Sequence, residues 1–172
     1  MRIMTFNIRF DNQADEDNSW PYRKEIVKAI IEKYSPDVLG TQEGRRPQLE
    51  ELNSMLSELD LVDIHRPWIQ ERMYPCFYCQ EKGLESGDIW LSENPQVPGS
   101  SSFDSAFPRL ATWIRYPENI LFVCTHLDHI KGQTRLAQIN VLAQEVHKLL
   151  HPDEKLILLG DFNAGPDSEE RK

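Results

Sequence analysis

The sequence predicts an α/β fold in which helices pack on a mixed β-sheet. Short apolar runs with strand patterning alternate with amphipathic helical stretches, and one pair of runs is joined by a turn too short for anything but a hairpin. A purely parallel sheet would need a crossover at every connection, so a mixed sheet is expected.

The first strand is "RIMTFNIRF", where Ile3, Thr5, Asn7 and Arg9 alternate with Met4, Phe6, Ile8 and Phe10. The polar stretch "DNQADEDNSW" follows as a loop. From Pro21, the spacing of Ile26, Val27, Ile30, Ile31 and Tyr34 is helical, and Pro36 predicts a stop at Ser35 because the residue before proline avoids helical geometry. "DVLGTQE" reads as a strand with a polar tip, and Leu49, Leu52, Leu56 and Leu59 mark a second amphipathic helix. "LVDIH", "YPCFY" and "GDIWLS" are short strands, whereas Glu93 to Pro108, with its prolines and serines, is a loop. "RLATWIRY" and "ILFVCTH" flank "PEN" and form the hairpin. Leu136, Ile139, Leu142, Val146 and Leu149 give the longest helix, and "KLILLG" reads as a continuous apolar strand from the middle of a covered sheet.

At 172 residues the chain has the size of one domain and can bury a substantial core. Hydrophobic residues make up 40% and charged residues 27%, a globular composition. No apolar run reaches the roughly 20 residues that span a bilayer, and the N-terminus has no signal-peptide pattern, so the cytoplasm is the expected location. Three cysteines, Cys76, Cys79 and Cys124, do not suggest a disulfide framework, and "CFYC" lacks the second pair of a zinc set, so buried thiols are expected. A formal net charge of −9 disfavours binding to long duplex nucleic acid.

Four strand ends carry polar groups: Asn7 in "TFNIR", Glu43 in "GTQEG", His126 in "CTHLDH", and Asp161 with Asn163 in "GDFNA". Two carboxylates and two amides form a hard oxygen set of the kind that suits Mg²⁺, or Mn²⁺ in its place. "HLDH" is not the zincin pattern, since its histidines are three apart at a strand end; His129 is expected at the rim, with Asp128 placed to hold either histidine.

At these residues the sequence resembles the endonuclease/exonuclease/phosphatase superfamily, which includes DNase I-like nucleases. "TFNIR", "GTQE", "THLDH" and "GDFNA" stand in that family's order between Arg2 and Pro166, and "SGDIWLSENPQVPGS" with "AFPRLATW" looks like a bacterial subgroup of metal-dependent hydrolases. The resemblance implies a four-layered sandwich of two mixed β-sheets flanked by helices. It implies that Glu43 is the principal metal ligand, with Asn7 and Asp161 lining the metal site. Asp161 would orient the attacking water or a second metal, Asn163 and Asn7 would face the phosphate, and His126 would contact phosphate or protonate the leaving oxygen. Glu71 in "QERMYPCFY" would orient that histidine. Arg109 is either a phosphate contact or a solvated charge.

The family's later Ser-Asp-His signature has no counterpart here: none of the five histidines follows Asp161. The expectation is therefore one domain over residues 1–172 whose second half is incomplete. Its exposed sheet edges would invite self-association. The expected activity is metal-dependent hydrolysis of a phosphate ester by activated water, on a phosphorylated small molecule or short nucleotide. The alternative is an inactive fragment of the same fold that acts only by binding or associating.

Overall fold

The computed structural model describes residues 1–62, 65–82 and 84–169. Met1–Leu84 and Glu85–Lys172 form two compact units.

The first unit runs β1 (Ile3–Asn7), a short 3-10 segment (Gln13–Asn18), α1 (Trp20–Tyr34), β2 (Val38–Arg45), α2 (Arg46–Met55), β3 (Asp60–Leu61) and β4 (Met73–Cys79). Its sheet has the order β1-β2-β4-β3, with β1 and β2 parallel and the other pairs antiparallel. Ser35 ends α1 in the left-handed region (φ 43°), where its N–H still reaches the Ile31 carbonyl. Pro36 follows at once, as the sequence predicts. The second helix is shorter than its leucine spacing suggests: α2 closes at Met55, and Leu56 and Leu59 are buried from the segment that follows. Of "LVDIH", only Leu61 lies in a strand, and Asp63 and Ile64 lie outside the described residues. Cys76, Cys79 and Cys124 are free and buried, and burial pushes the Cys79 thiol up to about 11.

The second unit contains β5 (Glu85–Trp90), β6 (Leu110–Tyr116), β7 (Ile120–His126), α3 (Gly132–Leu149) and β8 (Lys155–Asp161), with sheet order β5-β6-β7-β8. β5, β6 and β7 are antiparallel neighbours, and β8 joins β7 in parallel. The expected hairpin is present, with Tyr116 opposite Ile120 and the tight turn made by Glu118 and Asn119 at φ 68° and 62°. Leu142 and Val146 of α3 pack on Ile89, Ala111, Trp113, Leu121 and Val123 of the sheet. Both sheets are mixed and both units carry helices, which is the predicted α/β class.

β8 is the last strand of its sheet among the described residues, with Leu159 buried and Leu156 and Leu158 43% and 39% exposed.

Candidate functional site

Each unit gathers its own set of the expected residues. In the first, Glu43 sits on a β-bulge. Thr41 pairs with Cys76 and Gly44 with Tyr74, so Gln42 and Glu43 together face the single residue Pro75. Proline has no N–H to give the ladder, which makes it a suitable partner for the extra residue. The bulge places Glu43 at φ 68°, a strained conformation that re-aims its side chain.

The Glu43 carboxylate accepts a hydrogen bond from the Asn7 amide nitrogen at 2.9 Å and from the Phe10 N–H at 3.3 Å, with an Arg9 guanidinium nitrogen at 3.9 Å. The Asn7 oxygen accepts the Arg9 N–H at 2.9 Å and so shapes the turn after β1. Asn7 thereby positions Glu43. Gln48 of α2 clamps the same turn, accepting from the Asp11 N–H at 3.1 Å and donating to the Arg9 carbonyl at 2.8 Å. Arg23 donates to the Ile8 and Arg9 carbonyls. Glu71 is 72% exposed and lies 3.6 Å from Arg45.

In the second unit, parallel pairing sets His126 beside Asp161 at the ends of β7 and β8. Their nearest side-chain atoms, Nε2 and Oδ2, are 3.9 Å apart. Asp161 Oδ1 accepts the Asn163 N–H at 3.0 Å, and the Asn163 amide nitrogen donates to the Leu127 carbonyl at 3.0 Å. Asn163 itself takes φ 48°. The amide expected on phosphate therefore ties the β8 turn to the end of β7.

Arg109 is not a solvated charge. It is buried, and its guanidinium contacts Nδ1 of His126 at 3.2 Å and Nδ1 of His129 at 3.1 Å. Arginine can only donate, so both Nδ1 atoms must accept and the proton of each neutral ring sits on Nε2. Nitrogen-15 NMR of the imidazoles is expected to show Nδ1 unprotonated and Nε2 protonated in both rings; the opposite tautomer in either would break the arrangement.

The histidines are thus held by Arg109 rather than by Asp128. Buried Asp128 accepts from the N–H groups of Ala106, Ile130 and Lys131 at 2.8–3.0 Å. Burial alone would raise its pKa, but these donors and the charge of Arg109 outweigh it and hold the carboxyl below its ordinary value. A depressed native pKa contributes stability that is present above the unfolded value and lost as pH falls through the native one. Asp128→Ala is therefore expected to cost about 2 kcal/mol or more near neutrality. In urea titrations, the gap from the wild type should narrow as pH drops below the ordinary aspartate range.

The donor chemistry around Glu43 fits a hard cation: an oxygen anion held in place by two N–H donors. Among the described residues no group of three or more His, Cys, Asp and Glu forms a ready metal cage. The roles of Arg9, Gln48 and Arg109 were not visible in the sequence. Pro75 inside a strand was a usable sign of the bulge.

A family model for the Endonuclease/Exonuclease/phosphatase family matches residues 4–172, and the chain belongs to that family. Among solved structures, it is similar to a mannosyl-6-phosphatase of Bacteroides thetaiotaomicron, with 24% identity and a TM-score of 0.89, covering 99% of this chain and 68% of that one. A functionally unknown conserved protein from Enterococcus faecalis is 30% identical with a TM-score of 0.86, covering 99% and 70% of the two chains. An uncharacterized protein of Acanthamoeba polyphaga mimivirus is 24% identical over 181 residues, which is 95% of this chain and 67% of its own. No helix among the described residues is long and apolar enough to cross a membrane.

Proposed function

We propose that the protein is a divalent-metal-dependent phosphoesterase acting on a small phosphorylated molecule or short nucleotide. The observation that carries this is the Glu43 carboxylate, strained on its bulge and fixed by Asn7 and the Phe10 N–H, in a chain of the Endonuclease/Exonuclease/phosphatase family. The similarity to a sugar phosphatase supports a small substrate, and the net charge of −9 weighs against long duplexes. Three free cysteines support a reducing compartment, the cytoplasm.

Glu43 would hold the cation. When bound, Mg²⁺ supplies charge neutralisation at the phosphoryl group and a polarised water. Asn7 keeps the Glu43 carboxylate aimed without itself carrying charge. Asp161, with Oδ1 fixed by the Asn163 N–H, presents Oδ2 as an acceptor able to align a water. His126, with Nδ1 on Arg109, keeps an N–H on Nε2 to donate to a phosphoryl or leaving oxygen. Arg109 holds the ring in that orientation.

The test is hydrolysis of bis-p-nitrophenyl phosphate and p-nitrophenyl phosphate with Mg²⁺, with EDTA, and with Mg²⁺ restored. Turnover of either ester that EDTA abolishes and Mg²⁺ restores is expected. Metal binding without turnover of any ester would favour the associating module instead.

A further inference from the structure

Within Met1–Leu84 lies a cavity of about 500 Å³, a volume typical of small-molecule sites. Its wall includes Arg45, two residues beyond Glu43 on β2, and Asp11, which follows the Phe10 whose N–H holds the Glu43 carboxylate. Trp68, Arg72 and the first turn of α2, from Arg46 to Gln48, complete the part that matters here.

Three arginines and three carboxylates line this space, equal in number but not in how they are engaged. Its carboxylates are already engaged: Glu51 accepts from Lys24 at 2.5 Å and from the Trp20 indole at 2.7 Å, Asp11 accepts the Trp20 N–H at 3.3 Å, and Glu71 faces Arg45. Arg46 is paired with Glu50 at 2.8 Å. The half-buried Arg72 guanidinium has no hydrogen bond or ion pair among the described residues. Arg45 Nε is shielded from solvent and also lacks a hydrogen-bond partner among them. The first turn of α2 has no side-chain cap, which leaves donors and the positive end of the helix toward the cavity. Trp68, braced edge-on by Tyr74 at 4.8 Å, supplies a fixed aromatic surface in the same wall.

We propose that this cavity is a subsite for the non-reacting part of the phosphate ester, and that it selects a hydroxylated ring bearing an anionic group, with the anion on Arg72 and the α2 first turn and the ring against Trp68. The proposal rests on the phosphoesterase reading for its place in the reaction, but binding to the cavity does not require turnover. Substrates with a second anion beyond the scissile phosphate are therefore favoured.

Isothermal titration calorimetry of the chain in EDTA tests it, with glucose 6-phosphate and glucuronate as phosphate- and carboxylate-bearing probes and glucose as the neutral control. At least one anionic probe should bind saturably and about tenfold or more tighter than glucose. Arg72→Gln and Trp68→Ala, each checked for folding by circular dichroism, should each weaken it by about tenfold, and Gly165→Ala, whose added Cβ meets nothing within 4 Å, should leave it unchanged. The better anionic probe shows whether phosphate or carboxylate is preferred. Equal binding of all three probes, or full affinity in folded Arg72→Gln, overturns the subsite. Loss of hydrolysis with cavity binding intact would instead count against the phosphoesterase reading alone.

Discussion

Gly160→Ala is expected to lower stability by about 4 kcal/mol or more. Gly160 lies in β8 at φ 143°, backbone that side chains rarely adopt, and a Cβ there would stand 2.1 Å from the Thr125 carbonyl oxygen and 2.8 Å from the Thr125 nitrogen. Both atoms are backbone of β7, so no side-chain rotation relieves the overlap. The strands would have to part at the pair Thr125 and Gly160, one step from His126 and Asp161. Gly165→Ala is the control, since an added Cβ meets nothing within 4 Å. Urea unfolding should separate the two variants widely; a Gly160→Ala protein within about 1 kcal/mol of wild type would refute the tight strand contact.

Glu43→Gln should cut metal-dependent hydrolysis by about 1,000-fold or more, mostly in kcat. Glutamine keeps the length of the side chain and an oxygen for the Asn7 amide, and gives up only the longer bond from the Phe10 N–H at 3.3 Å, so the bulge should persist. What disappears is the anionic charge. Arg9 retains Asp15, which it grips with two hydrogen bonds of 3.0 Å, so the turn is not left without its counter-ion. Thermal unfolding of the variant should show a fold within about 1–2 kcal/mol of the wild type, the loss of the Phe10 N–H acceptor. A variant that keeps most of its activity would remove Glu43 from the reaction.

Much of the fold was legible because its signals are local. The α1 stop at Pro36, the hairpin around "PEN" and the alternation of β1 depend on neighbouring residues alone, and each is present. β8 announces itself by four apolar residues in a row, Leu156 to Leu159, which mark a strand without telling which alternate positions face the core. The site divides in the same way. Strand tips announced Asn7, Glu43, His126, Asp161 and Asn163, but not what their side chains do. Asn7 and Asn163 spend their amide nitrogens on Glu43 and Leu127. The grip of Arg109 on two histidines joins residues 17 and 20 positions away, which no periodicity reports. Glu43 owes its direction to a bulge that depends on β4 as much as on β2.

The claim at the centre of this account is that the Glu43 carboxylate is the anchor for a divalent cation. Electron paramagnetic resonance of Mn²⁺ reads it most directly, because the signal of the free ion is lost on binding whether or not any ester is turned over. Wild-type protein should deplete that signal saturably, Mg²⁺ should restore it by competition, and Glu43→Gln should deplete it little or not at all. Equal depletion by wild type and Glu43→Gln would contradict the assignment.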